Sequence, residues 1–550
     1  MTTVAERVAE VLGAHAQEVF GLLGNGNAFV VDALLRLTNT RYTAVRHEAG
    51  TVASADAYWR ATGKLAVATT TYGAGFTNTL TALAEAAMAH TPMIVLVGDE
   101  PTTGRRPWDV DQEALASACG AATVTVQADT PGTDTLRAIR TALSERIPVV
   151  LALPYDLPTA HTSEPLPNLE IAPPAPPTPT PQQTSALAQR LRESQRPVIL
   201  AGVGAINAKS QLNELADTLG AITVTTAAAR GLFADRTLDA GVCGGFSSVQ
   251  TASYLAAADT VIAFGAGLNQ FTMGFGRLFP QAHLVQIDIA PAPTHPAVNE
   301  FVQADAAAAA SELLRQLGIH TATAWAEIDR SEVAQAQFNR GEAPELADDG
   351  RLDPRGLITA LDSHLPDERL VSVDGGHFIG WPNTHLRLNR ERSMLLVGTH
   401  YQSIGLGLPA AAGAAVAAGD RMLVVPLGDG GGLMGIADLD SLVRAARRAT
   451  VVVFNDGAYT AETTQYGLLG LDQRPMLIDQ IDFAQLARGV GAHASVVERL
   501  GDLDSWATWC AEGGTGTWLL DCRVSGNVIA PYQLEIMANL RRATQTDKSR

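Results

Sequence analysis

Two aspartates and a run of glycines in the last third of the chain have the types and spacing for metal and phosphate chemistry. Gly428-Asp429-Gly430 closes the apolar run MLVVPLG, and Asn455-Asp456 closes the run TVVVF. Asp456 follows Asp429 by 27 positions (456 − 429), with an amphipathic stretch between. Two buried strands joined by such a stretch bring their carboxyl ends to one edge of a doubly wound sheet, where ligands bind. Two oxygen-bearing side chains there can hold Mg2+, which takes its remaining ligands from water and phosphate. The glycines let backbone N–H groups approach phosphate oxygens. Taken alone, the same residues describe two ordinary turns.

Three further segments carry chemistry. Arg46-His47-Glu48 precedes the Ala-rich run AGTVASADAYWRATGK. Gly73-Ala74-Gly75-Phe76-Thr77-Asn78 follows the apolar LAVATTT. Gln402-Ser403-Ile404-Gly405-Leu406-Gly407-Leu408-Pro409 opens an Ala-rich helical pattern ahead of Gly428. Singly, these read as a solvated Glu, a capping turn and a core Ile. In this order, the four segments resemble the thiamine-diphosphate (ThDP) dependent enzymes, across nearly the whole chain.

The resemblance implies roles. Asp429 and the Ala458 carbonyl would ligate Mg2+, with Asn455 or Asp456 as the third ligand; a gapless match to the family's decarboxylases puts Asp456 where an Asn is usual. Gly428, Gly430 and Gly431 would face the diphosphate, with Tyr459 beside them, and Gly73 and Asn78 would flank the pyrimidine. Glu48 would bond the far nitrogen of the aminopyrimidine ring, favouring the tautomer that takes the thiazolium C2 proton. Ile404 would wedge between the two cofactor rings and hold them bent, while the Gln402 carbonyl accepts from the ring amine, a proximity effect.

The cofactor supplies the bond chemistry and the protein chooses partners and protons. Gln112, in DVDQEAL, matches a Gln of the family's carboligases; Glu462, in YTAE, aligns with a decarboxylase Glu; His377 follows Gly375-Gly376 at a strand end. These three join Glu48 as catalytic candidates. The expected reaction is 2-oxo acid decarboxylation with carboligation. Acetolactate synthase proper is the runner-up, although GAYTAETTQYGLLG after Asp456 lacks the Trp and Gly-Met pair of those synthases. A lyase or hydrolase of a hydroxyketone or diketone, releasing no CO2, and a non-catalytic regulatory subunit are further alternatives. GAGLNQFT lacks the Arg of the FAD-binding synthases, so FAD is expected absent. The resemblance implies at least a homodimer, with a homotetramer expected, because in the family one subunit's first domain meets another's third across the cofactor.

The elements that must position these residues are legible as apolar runs. LAVATT at 65–70, MIVLVG at 93–98 and VVLALP at 149–154 precede a Pro-rich stretch at 165–181. PVILAGVGA at 197–205, ITVTT at 222–226, TVIAFGAG at 260–267 and HLVQIDI at 283–289 follow it. RLVSVDGG at 369–376, MLVVPLGDGGG at 422–432 and TVVVFND at 450–456 come last. Such runs between amphipathic segments predict parallel sheets covered on both faces. The expected class is α/β, as three doubly wound domains: a pyrimidine-binding domain over 1–164, a linker over 165–183, a central domain over 184–340 and a diphosphate- and Mg-binding domain over 341–550. The fold is expected to begin near residue 3, and the tail TQTDKSR to fray.

Composition narrows the partners. Of 550 residues, 46% are hydrophobic and 17% charged, as in globular proteins. A formal net charge of −18 argues against nucleic acid. Cys119, Cys243, Cys510 and Cys522 form no C-x-x-C pair and read as reduced thiols, which with the lack of a leader or membrane-length run predicts a cytoplasmic protein.

Overall fold

The computed structural model describes residues 2–173, 175–318 and 324–547. Among these, eighteen strands form three six-stranded sheets, parallel throughout. The first holds β1 (Glu18–Gly21), β2 (Arg41–Ala44), β3 (Val67–Thr70), β4 (Met93–Asp99), β5 (Ala122–Thr125) and β6 (Pro148–Pro154), in the order β2-β1-β3-β4-β6-β5. The second holds β7 (Pro197–Ala201), β8 (Ile222–Thr225), β9 (Asp239–Val242), β10 (Thr260–Phe264), β11 (His283–Asp288) and β12 (Glu300–Gln303), in the order β12-β11-β10-β7-β8-β9. The third holds β13 (Arg369–Val373), β14 (Met394–Leu396), β15 (Met422–Gly428), β16 (Arg448–Phe454), β17 (His493–Val497) and β18 (Gly516–Cys522), in the order β14-β13-β15-β16-β18-β17.

Central strands such as β4 and β6 are buried along nearly their whole length, as strands covered on both faces must be. Each order has a reversal inside the sheet: between β1 and β3, between β7 and β10, and between β13 and β15; the first and third also step back at one edge, from β5 to β6 and from β17 to β18. A reversal opens a crevice at the carboxyl ends of the strands, so three crevices are built in. The second is filled by main chain: a Cβ on Gly202 would stand 2.2 Å from the Gly265 carbonyl oxygen.

The first and third sheets share one continuous hydrophobic core. Its seam is a pair of small-residue helices, Glu48–Thr62 and Gly407–Ala418. A Cβ on Gly413 would lie 1.9 Å from the Ser54 carbonyl oxygen, so only glycine lets the backbones come this close. The Ser54 hydroxyl donates to the Pro409 carbonyl at 2.8 Å, and the Arg46 N–H to the buried Asp438 carboxylate at 2.8 Å.

The fold begins where the sequence places it, and two later boundaries differ. Thr3 forms a capping box with Glu6 and starts the helix Val4–His15. The stretch expected as linker over 165–183 closes earlier: Thr180 caps the helix Pro181–Glu193, with Pro181 in the first turn, where proline needs no donor. The last helix, Pro531–Asp547, runs through most of the tail expected to fray; residues 548–550 lie outside the described residues. No described helix is long and apolar enough to cross a membrane.

Candidate active site

The crevice between β13 and β15 holds a cavity of about 320 Å3. Its walls come from the turns after β13, β15 and β16, from residues 398–404 and from Tyr532. Strand β15 ends at Gly428, and Asp429 opens the short helix Asp429–Met434. The Asp429 carboxylate accepts from the Gly430 N–H at 2.8 Å and the Gly457 N–H at 2.7 Å. Across from it, the Asp456 carboxylate accepts from the Ala458 N–H at 3.2 Å and the Thr460 hydroxyl at 2.6 Å. A Cβ on Gly430 would meet the Tyr459 ring at 2.5 Å, and one on Gly431 the Asp374 carboxylate at 2.5 Å. The wall beside the aspartates is therefore bare main chain.

Asn455 points the other way. Its side-chain amide donates to Asp521 at 2.8 Å and to the Ile481 carbonyl at 3.0 Å, fully buried behind the strand. Of the two ligand candidates at this strand end, Asp456 faces the cavity and Asn455 does not. Arg351 braces the turn by donating to the carbonyls of Asn455 and Asp456 at 2.9 and 3.1 Å.

Two carboxylates facing one crevice disfavour each other's charge. Burial, then repulsion from Asp429, pushes the Asp456 carboxyl up to about 7; burial also raises Asp429. A divalent cation between them relieves both effects, and two carboxylates with a neighbouring backbone carbonyl, Ala458, form a hard-oxygen donor set. The residues present fit Mg2+.

Segment 398–404 carries Gln402 and Ile404 into the cavity and is held from two sides. Below, the buried Asp374 accepts from the Gly375 N–H at 2.8 Å and the Gly405 N–H at 3.0 Å. Burial lifts Asp374 to about 6, against those donors. From the first domain, Glu85 accepts from the Tyr401 N–H at 2.7 Å and from Arg60 at 2.8 Å. Burial favours its neutral form, but the bond to His400 and the Arg60 charge outweigh that and hold Glu85 down to about 2. The clamp holds Gln402 at φ +55, a left-handed conformation costly outside glycine.

His377 sits on the cavity wall, nearly buried. Its Nε2 accepts from the Ala530 N–H at 2.9 Å, which leaves the proton of the neutral ring on Nδ1. Burial depresses it to about 4, so the ring is neutral at physiological pH. Tyr532 donates to the carbonyls of Gly376 and His377, and Phe378 stacks on Phe454 at 5.4 Å. Glu462 stands on the rim, exposed, in the helix Thr460–Gln465.

The remaining candidates gather elsewhere. Glu48 accepts from the Asn78 side-chain amide at 3.0 Å, at the carboxyl edge of the first sheet. Gln112 is buried and its side chain is fully engaged: it accepts from the Gly73 N–H at 2.8 Å and donates to the Gly98 carbonyl at 2.9 Å and to the Asp99 carboxylate at 3.1 Å. Gln112 thus clamps the Gly73 turn, where φ is +60. None of Glu48, Gly73, Asn78 or Gln112 lines the cavity of its own chain.

Sequence comparison decides the family. Residues 2–122, 184–323 and 374–522 match, in turn, the N-terminal TPP binding, central and C-terminal TPP binding domains of thiamine pyrophosphate enzymes. The chain belongs to the thiamine pyrophosphate enzyme family. This ThDP enzyme is 27% identical to a sulfoacetaldehyde acetyltransferase of Castellaniella defragrans, over 91% of this chain and 89% of that one. It is 28% identical to an acetolactate synthase large subunit of Parasynechococcus marenigrum (strain WH8102), over 88% of this chain and 82% of the relative. A thiamine diphosphate-dependent 4-hydroxybenzoylformate decarboxylase of Rhodococcus jostii RHA1 shares the fold of the ThDP enzyme, with a TM-score of 0.78, 21% identity and coverage of 95% and 99% of the two chains.

Sequence reasoning missed Asp374, Glu85, Arg60, Arg351 and Tyr532 as parts of this candidate site. Asp374 alone left a signal, an Asp before Gly375-Gly376 at the end of an apolar run.

Proposed function

We propose that this ThDP enzyme decarboxylates a 2-oxo acid and joins the resulting acyl unit to an acceptor, with Mg2+ as second cofactor and a homodimer as the smallest active unit. The observation that carries this reading is the division of the candidates into two groups. The cavity of one chain holds the metal and diphosphate donors, and Glu48 with Asn78 lies outside it. A second copy must bring its Glu48 edge to the cavity to complete the site.

Bound thiamine diphosphate supplies a carbon nucleophile for attack on a carbonyl. Asp429, Asp456 and the Ala458 carbonyl would hold Mg2+, and the bare main chain at Gly428, Gly430 and Gly431 admits the diphosphate. Ile404 offers an apolar wedge on a segment fixed by Asp374 and Glu85. The neutral His377 presents an Nδ1 donor, suited to a substrate carboxylate or carbonyl oxygen. Exposed Glu462 can move a proton between solvent and the product carbon. Relatives named for acetyl transfer, acetolactate synthesis and decarboxylation support the class. A cytoplasmic location and freedom from FAD complete the proposal.

The test is turnover of a panel of 2-oxo acids with ThDP and Mg2+, following CO2 and identifying products by mass spectrometry. CO2 with a coupled hydroxyketone or hydroxy acid is expected. Bound ThDP with no CO2 from any 2-oxo acid overturns decarboxylation and leaves cleavage of a hydroxyketone or diketone.

A further inference from the structure

A second cavity, of about 350 Å3, lies between the central and C-terminal domains. Arg230 and Arg236 follow β8, Asp239 lies on β9, Gln337 follows the helix Val333–Ala336, and Arg387 and Asn389 come from the loop before β14. This cavity shares no wall residue with the active site. Gly202, Gly204 and Gly265, packed together at the central sheet's reversal, do not line it either.

Three guanidinium groups and one carboxylate line it; Arg236 is paired with Asp217 at 2.8 Å and Arg387 lies 3.7 Å from Asp362, both acids outside the wall, so Arg230 is the wall arginine without an ion pair. Arg230 is 6% exposed and donates only to main-chain carbonyls, those of Pro382 and Leu386. Those bonds use two of its five N–H donors. Arg340 sits close enough for its charge to act on Arg230, and itself donates only to the Gln337 carbonyl at 2.9 Å. Among the described residues, neither guanidinium forms a salt bridge; the Asp362 and Asp239 charges act on Arg230 only from farther off. Burial, then the Arg340 charge, lowers Arg230 to about 10, and burial lowers Arg340 to about 10; both stay cationic at neutral pH. Asp239, the one acid in the wall, accepts from the Gly241 N–H at 3.1 Å and feels the Arg230 and Arg236 charges without forming a salt bridge to either.

A buried cation without a counter-charge is strongly disfavoured, and unspent buried donors call for an acceptor. The planar fork of a guanidinium matches the paired oxygens of a carboxylate or a phosphate. Arg387 stands at the mouth with its side chain 64% exposed, its guanidinium 5.1 Å from the Phe338 ring centre and 3.7 Å from the Asp362 carboxylate, a long contact that an incoming ligand can replace. We propose that this cavity binds a small dianion, a phosphate or a short dicarboxylate, gripped by Arg230 within and Arg387 at the mouth. Arg230 also holds the carbonyls of Pro382, inside the helix Gly380–His385 that follows His377–Ile379, and of Leu386, just past its end, so an occupant bears on a wall of the active site.

The experiment uses the full chain in excess ThDP and Mg2+, which keeps the cofactor cavity out of the titration. Orthophosphate and malonate are titrated separately by calorimetry at constant ionic strength, with acetate as a monoanion control. Saturable binding of either dianion is expected, and the one that binds tighter names the ligand class. Arg387→Ala should weaken binding about tenfold or more, as the loss of a charge-assisted hydrogen bond implies, and Arg230→Met should abolish it. If Arg230→Met does not fold, the exposed Arg387 variant decides. No saturable binding of either dianion, or equal affinity in Arg387→Ala, overturns the proposal. Neither outcome depends on which reaction the active site performs.

Discussion

Replacing Asp456 by Asn should make the metal-free protein more stable, by an amount that depends on pH. In the fold, the Asp456 carboxyl is pushed from its ordinary 3.8 up to about 7 by burial and by Asp429. Below pH 4, both folded and unfolded chains keep the proton and the group is neutral to stability. Between about pH 4 and 7 the unfolded chain ionises and the folded chain resists, so stability falls as pH rises; above 7 the loss is complete. At 1.36 kcal/mol per pH unit the loss approaches about 4 kcal/mol, and partial solvent contact reduces it to about 2–4 kcal/mol. Asn is the same size and carries no charge, so the variant escapes this loss. Three joined domains need not unfold in one step, so the readout is the melting temperature in chelator across pH 4–8.5. For a unit of domain size the gap should grow from nearly zero at pH 4 to roughly 4–15 °C above pH 7. With Mg2+ and ThDP the order should reverse, because wild type offers the cation an extra charge. Parallel pH curves for the two proteins in chelator would refute the claim that the two carboxylates share a desolvated crevice.

Two further substitutions separate positioning from cofactor chemistry. Glu85→Ala deletes the acceptor of the Tyr401 N–H and should speed amide exchange across 398–404 by an opening cost of about 1–3 kcal/mol, with Glu85→Gln restoring part of it; unchanged exchange by mass spectrometry rules out the clamp. Glu48→Gln should leave ThDP affinity nearly intact while C2–H exchange, followed by NMR, is almost lost; normal exchange removes Glu48 from its assigned role.

What could be read in the sequence follows from how local the cause is. β4, β6, β15 and β16 show as unbroken apolar runs because both faces are buried. Edge strands such as Arg41–Ala44, Glu300–Gln303 and His493–Val497 are half-exposed and mixed in character, so they merge with their loops. Pro181 is hidden in a proline-rich run, although its place in a first turn is where proline is tolerated. In the active site, Asp429, Asp456 and Ile404 were legible because they lie in or beside glycine-marked turns. Choosing between Asn455 and Asp456 needed the direction of each side chain, which depends on Asp521, far along the chain. The Glu85–Tyr401 bond spans 316 positions, and no local pattern encodes it.

The first domain has two obligations that point in opposite directions. Through Glu85 it steadies the cavity of its own chain, and its Glu48 edge lies outside that cavity, in the proposed dimer available to another's. In the proposed dimer, each site is then a joint product of two polypeptides. A chain crippled at Glu48 and a chain crippled at Asp429, paired with each other, would assemble one site bearing both defects and one bearing neither. Such a mixed dimer keeps one working site of its two, although each chain paired with itself has none.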